Sequence, residues 1–397
     1  MKSNRYYIEL SDRFSAKNYL PLPVVLTRAK GVWVWDVEGN RYLDMLSSYS
    51  ALNQGHCNSY ILQVLKKQAA RLTLTSRAFH NDQMALFLKK LCTLTGYEKA
   101  LPMNSGAEAV ETAIKVARKW GYYKKGVAKN KAHIIVCKNN FHGRTTTIIS
   151  FSSELQYRDG FGPFTPGFKL IPYNDPSFLQ RALNKNTIAF LVEPIQGEGG
   201  VVIPKKGYLK ECYKICKKNN ILFIADEIQT GLGRTGRLLA CDYEGIKPDI
   251  LILGKALGGG FYPVSAILCD NHIMEVLKPG DHGSTFGGNP LASAIAIASL
   301  DVIIKKRLAS RAKRLGDWFM KELKRIKSKN IKEVRGRGLL IGVELRRPAR
   351  TYCEKLMELG ILAKETHKFV VRFAPPLIIK RSELAWALPR IKEVLSG

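Results

Sequence analysis

The residue of this chain with the plainest chemical potential is Lys255. It follows the short apolar run Ile250-Leu251-Ile252-Leu253 and is trailed by Ala256-Leu257-Gly258-Gly259-Gly260, residues too small to crowd it. A lysine desolvated in such a place loses basicity and becomes a usable amine nucleophile. Taken alone, it reads better as a lysine snorkelling at a strand end. Its surroundings change that reading. Asp226 closes another apolar run, Ile221 to Ala225. A carboxylate there is costly unless it faces a cation. A protonated pyridine nitrogen would be such a cation, which is the partnership expected of pyridoxal phosphate.

A phosphate needs its own cradle. Asn104-Ser105-Gly106-Ala107-Glu108-Ala109 precedes the helical spacing Val110, Ile114, Ala117. Ser105 and Gly106 would then stand at a helix N-terminus, where free N–H groups receive anions. Ser-Gly there could also be a plain N-cap. Gly283-Ser284-Thr285-Phe286-Gly287-Gly288-Asn289 is a second hydroxyl- and glycine-rich loop, readable alone as a turn. No Walker A loop is present, and no G-x-G-x-x-G follows an early strand, which disfavours nucleotide binding.

These groups need a scaffold. Four short, branched, apolar runs read as buried parallel strands: His133–Cys137, Ile188–Val192, Ile221–Ala225 and Ile250–Leu253. Ligands of open α/β sheets sit at the carboxyl ends of the strands. The residues that follow the runs are Asn139 to Arg144, Glu193 to Glu198, Asp226 to Gly231, and Gly254 to Gly260. One rim thus receives a lysine, carboxylates, an arginine and an aromatic ring.

The chain divides into an N-terminal segment, 1–48, with a hairpin in VWVWDVEGNRYLDM; a large α/β domain, 49–295; and a smaller α+β domain, 296–397. In the last, one basic amphipathic helix is expected over Lys305 to Asn330, its apolar stripe Leu308, Ala312, Leu315, Phe319, Leu323 and Ile326 at helical spacing, followed by LLIGVEL and VVRFAPPLII as strands. The 397 residues are 46% hydrophobic and 24% charged, which excludes a disordered or fibrous chain. No apolar run approaches the ~20 residues a bilayer-spanning helix needs, and the start lacks a secretory h-region. Eight cysteines without a C-x-x-C pair read as reduced, mostly buried thiols, and scattered histidines suggest no metal cluster. The net charge of +30 is unusual. Its densest stretch lies on the outer face of the basic helix, so a solvated face is preferred to an acidic partner. No nucleic-acid signature accompanies it.

LSSYSALNQGHC, LTLTSRAFHN, FIADEIQTGLGRTGR, LGKALGGGFYPVSA and HGSTFGGNPLA together carry a resemblance that runs from Asn18 to Pro376. The chain resembles the fold-type I, class III pyridoxal-phosphate aminotransferases, and within them the members that act on the δ-amine of ornithine. The resemblance implies a large domain with a mostly parallel seven-stranded sheet between helices, a smaller α+β domain, and a homodimer with shared active sites; the short segment before Tyr19 has no organelle presequence, so a bacterial-type cytoplasmic enzyme is expected. No nucleic acid and no membrane are expected as partners.

Roles follow at the matching positions. Lys255 would carry the cofactor on its amine and then shuttle the substrate proton. Asp226 would pair with the pyridine nitrogen, Gln229 with the ring hydroxyl, and Phe141 would stack on the ring. Ser105, Gly106 and Ala107 would bind the phosphate, joined by Thr285 from the partner subunit. Tyr19 and Tyr49 would orient the free α-amino end of L-ornithine, and Arg144 would take its α-carboxylate. Arg372 would meet the α-carboxylate of 2-oxoglutarate or glutamate, with Glu198 masking it while ornithine is bound. Tyr19 and Tyr49 could instead be packing aromatics, and Glu198–Arg372 a permanent ion pair. His142 departs from the tryptophan common in ornithine enzymes, and Ser105 from threonine. The expected activity is transfer of the δ-amino group of ornithine to 2-oxoglutarate, giving glutamate 5-semialdehyde and glutamate. N-acetylornithine, 4-aminobutyrate or lysine transamination, and a polyanion-binding protein on the same scaffold, are the alternatives.

Overall fold

The computed structural model describes residues 2–397. Three sheets organise it. The first holds β1 (Leu26–Lys30), β2 (Trp33–Asp36) and β3 (Arg41–Asp44), with β2 and β3 forming the expected hairpin. The second holds β4 (Lys99–Met103), β5 (His133–Cys137), β6 (Phe168–Ile171), β7 (Thr187–Val192), β8 (Leu222–Asp226), β9 (Ile250–Leu253) and β10 (Ser265–Cys269). The third holds β11 (Ile331–Arg337), β12 (Leu340–Leu345), β14 (Lys364–Thr366) and β15 (Val370–Phe373). The two-residue strand β13 (Ile361–Leu362) belongs to the first sheet, where it runs parallel to β3.

The seven-stranded sheet has the order β4-β10-β9-β8-β7-β5-β6. Only β10 runs against its neighbours. The central strands β5, β7, β8 and β9 are almost wholly apolar, with polar residues only at their ends, because both faces are covered. Ile134, Val136, Ala189, Leu191, Ile224 and Ile252 pack toward the helix α1 (Gly106–Tyr123). The intervening Ile135, Phe190, Val192, Phe223 and Ala225 pack the other way, against the helix Tyr208–Lys218. This period-two partition fixes the register, since a slip of one residue would exchange the two faces. It also delivers the polar residues after β5, β7, β8 and β9 to one rim.

Two expectations about the C-terminal region need correction. The basic stretch is not one helix from Lys305 to Asn330. An apolar helix α2 (Pro290–Lys305) ends where Arg307 turns left-handed, φ 47°, and a second helix α3 (Leu308–Lys324) begins. Its buried stripe is nonetheless the one read from spacing: Leu308, Ala312, Leu315, Phe319 and Leu323. VVRFAPPLII is a strand only as far as Phe373, because Pro375 and Pro376 cannot donate to a ladder. All eight cysteines are free, and six of them are buried.

The third sheet packs on the main core through Ile341, Val343, Val371 and Phe373, and at one point the backbones themselves come close. A Cβ on Gly316 of α3 would lie 1.9 Å from the Gly338 carbonyl oxygen, and one on Gly338 would lie 2.4 Å from the Thr235 carbonyl carbon. A Gly316→Ala variant should therefore lose about 2 kcal/mol of stability, despite the better helix propensity of alanine. A lowered denaturant midpoint would show it, and an unchanged one would mean that the helix can move aside at no cost.

Candidate active site

A cavity of about 590 Å³ opens at the rim of the seven-stranded sheet, lined by Gly106, Ala107, Phe141, His142, Glu193, Asp226, Gln229 and Lys255, among others. Six of the sequence-derived cofactor residues therefore share one space. Each stands there for a local reason. Asp226 is the last residue of β8, and its Oδ1 accepts the Ile228 N–H at 3.0 Å. Lys255 opens a short 3₁₀ turn straight after β9, in a left-handed conformation with φ 45°. That conformation is costly for a residue with a Cβ and is held by its surroundings. Gly106 and Ala107 lead α1, where the first N–H groups have no acceptor within the helix.

Ser105 is an N-cap in full. Its Oγ accepts the Glu108 N–H at 3.2 Å, and Glu108 returns the bond to the Ser105 N–H at 2.6 Å. The bland and the functional readings are compatible, because the hydroxyl proton is still free for an anion. Thr285 lies outside this cavity. It is exposed on its loop, where Ser284 Oγ accepts from Gly287 N–H and Asn104 Nδ2.

The electrostatics are those of buried, partly compensated charge. Burial drives the Lys255 amine below its ordinary 10.5 against the pull of the carboxylates of Asp226 and Glu198. His142 is the residue whose role sequence reasoning missed. It is buried, and its Nδ1 lies 2.7 Å from Asp226 Oδ2. Desolvation would lower this histidine, but the Asp226 hydrogen bond and charge raise it above 6.5. A tryptophan at this position could donate only an indole N–H; histidine has a second ring nitrogen that can take a proton. Glu193 was also missed as a site residue. Its two oxygens accept the N–H groups of Phe141 at 3.0 Å and Gly197 at 3.3 Å, so it shapes the loop that carries the aromatic face. Burial first, then the nearby Asp226, push its carboxyl up to about 7, although His142 opposes them. The sequence signal was available: a glutamate directly after the all-buried strand β7.

Beside this cavity stands a second group. Arg372 Nη1 bonds Glu198 Oε1 at 2.6 Å and Gln229 Oε1 at 3.3 Å, while Gln229 Nε2 bonds Glu198 Oε1 at 3.2 Å. Arg372 has no exposed surface, yet its Nε and Nη2 have no partner. Desolvation works against ionised Glu198, but Arg372 prevails and holds the carboxyl below its ordinary 4.5. A Cβ on Gly197 would stand 2.0 Å from Gln229 Oε1, so glycine there is what lets this amide into the cluster.

The two tyrosines part company. Tyr49 lies over Arg372, with its ring centroid 4.9 Å from the guanidinium carbon. Tyr19 is largely exposed and lies 5.9 Å from the guanidinium of Arg144. Arg144 sits among the rings of Tyr19, Phe141 and Tyr157 and has no carboxylate partner among the described residues. Tyr19 and Tyr49 nevertheless line one common cleft. Tyr49 belongs to an unusual turn, Ser47–Ser50, in which four successive non-glycine residues have φ between 47° and 75°. Each such residue costs about 1–2 kcal/mol relative to a right-handed one.

The donor set fits pyridoxal phosphate. It offers unpaired helix N-terminal N–H groups for a phosphate, a buried carboxylate for a pyridine nitrogen, an aromatic face, and an amine of lowered basicity. Comparison with known proteins agrees. The family model "Aminotransferase class-III" matches residues 14–395. The ornithine aminotransferase of Bacillus subtilis (strain 168) is 59% identical over 395 residues, covering 100% of this chain and 98% of that protein. A solved ornithine aminotransferase from Toxoplasma gondii, described as holding pyridoxal phosphate at partial occupancy in its active site, superposes with a TM-score of 0.98 at 48% identity over 99% of this chain and 94% of its own. An acetylornithine aminotransferase structure from Elizabethkingia anophelis gives 0.91 at 50% identity, covering 100% and 99%.

A carboxyl raised in the folded state stabilises the protein fully below its unfolded value, and that contribution is lost as pH rises through the folded value. For Glu193 the window runs from 4.5 to about 7. Glu193→Gln should remove roughly 3 kcal/mol of stability change across that window. Melting temperatures of the apoprotein read the slope, and a variant that keeps the parental slope would assign it to other groups.

Proposed function

The chain belongs to the class-III aminotransferases, enzymes of pyridoxal-phosphate fold type I, and from that premise we propose that it transfers the δ-amino group of L-ornithine to 2-oxoglutarate. The products are glutamate 5-semialdehyde, which cyclises to pyrroline-5-carboxylate, and glutamate. The active unit is a homodimer in which Thr285 reaches the phosphate site of the partner, and the place of action is the cytoplasm. No helix among the described residues is long and apolar enough to cross a membrane.

One observation carries the substrate reading. Arg372 is half-masked: Glu198 takes Nη1, while Nε and Nη2 stay unpaired inside the protein. An enzyme of this activity must accept a δ-amine with no carboxylate beside it, and then a diacid that has one. An arginine saturated by its glutamate could not bind the diacid, and a bare one would draw ornithine in by its α-end. A masked arginine with two spare donors serves both.

Pyridoxal phosphate, when bound, supplies an aldehyde for the amino group and a ring that draws electrons from the adjacent carbon. The chain does the rest. Gly106, Ala107 and the Ser105 hydroxyl hold the phosphate. Asp226, kept oriented by His142 and the Ile228 N–H, holds the pyridine proton. Phe141 would cover the ring face, and Gln229, already bonded to Glu198 and Arg372, would meet the ring hydroxyl. Lys255, made less basic by burial, would be the base that takes up the proton leaving the carbon bearing the amine, and the acid that gives it back to the conjugated system. Arg144, flanked by Tyr19, grips the α-carboxylate of ornithine through a planar fork of donors.

The assay mixes the purified protein and cofactor with ornithine and 2-oxoglutarate and follows pyrroline-5-carboxylate. Lys255→Ala should lose at least about 10³-fold in rate. N-acetylornithine, 4-aminobutyrate and lysine run beside ornithine; faster turnover of N-acetylornithine would replace this substrate by its acylated form. Glu198→Gln should lower ornithine kcat/KM about tenfold and raise that for glutamate, reversing the preference set by the mask. Equal changes for both substrates would make Glu198–Arg372 a structural pair only.

A further inference from the structure

Arg234 lies in the stretch FIADEIQTGLGRTGR but touches neither of the groups above. It has no exposed surface, and no carboxylate forms an ion pair with it. Its Nη1 donates to the carbonyl oxygens of Leu339 at 2.9 Å and Pro375 at 2.6 Å. Its Nη2 donates to Ser47 Oγ at 2.9 Å and Asn53 Oδ1 at 2.6 Å. A lone buried cation is costly, and burial indeed makes this guanidinium easier to deprotonate than usual, down to about 9. Its two terminal nitrogens reach four oxygens on three separate segments, a spread that a planar fork of donors can span.

What the fork reaches is the first residue of the left-handed turn that carries Tyr49. Ser47 Oγ also donates to the Ala374 carbonyl at 2.6 Å, and the Ser47 and Leu46 N–H groups both go to Asp44 Oδ1 at 2.8 Å. The same guanidinium holds Pro375, which follows Ala374 and stands three residues beyond Arg372. Both partners of the Tyr49–Arg372 contact are thus hung on one group. Left to itself, the turn would relax toward right-handed φ and carry the Tyr49 ring away.

We propose that Arg234 is a positioning residue for substrate selection: through Ser47 and the Pro375 carbonyl it holds the left-handed turn in register with Arg372, so that Tyr49 stays over the masked guanidinium and a diamine is presented by its δ-end. This rests on the ornithine reading above and deepens it. Ser47 is the joint through which Arg234 acts, and neither residue meets the cofactor cavity.

The test compares Ser47→Ala, Tyr49→Ala and the double variant, each as holoenzyme. Ser47→Ala should lower ornithine kcat/KM about tenfold, chiefly through KM, and leave the glutamate half-reaction within about twofold. In the Tyr49→Ala background the same change should cost nothing further, because its whole effect runs through the ring. A crystal structure of Ser47→Ala should show the Tyr49 ring displaced from Arg372. Arg234→Lys, which keeps the charge and loses the fork, should reproduce the selectivity loss and covers the case in which Ser47→Ala does not fold. Additive costs in the double variant, equal losses for both substrates, or an unmoved ring would overturn the proposal. Wild-type protein inactive on ornithine would instead overturn the function, whatever the variants do.

Discussion

Charge without water is the constraint around which this molecule is arranged. Asp226, Glu193, Glu198, Lys255, His142 and Arg372 all meet at one rim of the sheet, in surroundings where an unpaired charge is expensive. None is fully compensated by the others. Asp226 has one histidine and one N–H, Arg372 keeps two idle donors, and Lys255 is left less basic than a lysine in water. The unspent capacity of these groups defines what they can receive. A carboxylate short of a cation, an arginine short of an anion and helix N–H groups short of an acceptor together specify a molecule carrying a protonated ring and a phosphate, and substrates carrying carboxylates.

The scaffold keeps those deficits from collapsing onto one another. Side chains on adjacent strand ends could pair off if the strands shifted. The alternating packing of β5, β7 and β8 against helices on both faces prevents this. Backbone is used where still closer placement is needed: Gly197 admits the Gln229 amide, and Gly316 and Gly338 bring the third sheet against the Arg234 loop. The third sheet matters chemically because β15 supplies Arg372. The distance from Glu198 to Arg372 therefore depends on how two sheets are seated as well as on the loop after β7, which Thr366 of β14 ties down at the Glu198 carbonyl.

Much of this was legible in the residues. The four strands inferred from branched apolar runs lie within one residue of their observed limits, because a strand covered on both faces admits little else. Lys255 and Asp226 were legible from a charge placed where charge is costly, and the buried stripe of α3 from its spacing. What escaped has physical reasons. The break at Arg307 rests on a backbone angle that the helical spacing of its neighbours does not encode. The end of β15 lies where proline removes a donor, a signal present but outweighed by flanking apolar residues. His142 and Arg234 escaped because their roles lie in pairings across the fold, 84 and 187 positions apart along the chain for the contacts with Asp226 and Ser47.

The parallel pairing of β13 with β3 ties nearly the first strand to nearly the last. On a ribosome the amino-terminal sheet must wait, with one edge open, until almost the whole polypeptide has emerged. The turn bearing Tyr49 lies just after that waiting edge, and the carbonyls of Ala374 and Pro375 that brace it are made later still. Nascent chains of this protein therefore complete the rim that carries Asp226 and Lys255 well before the Tyr49 turn is braced, and a chain released early would hold the first without the second.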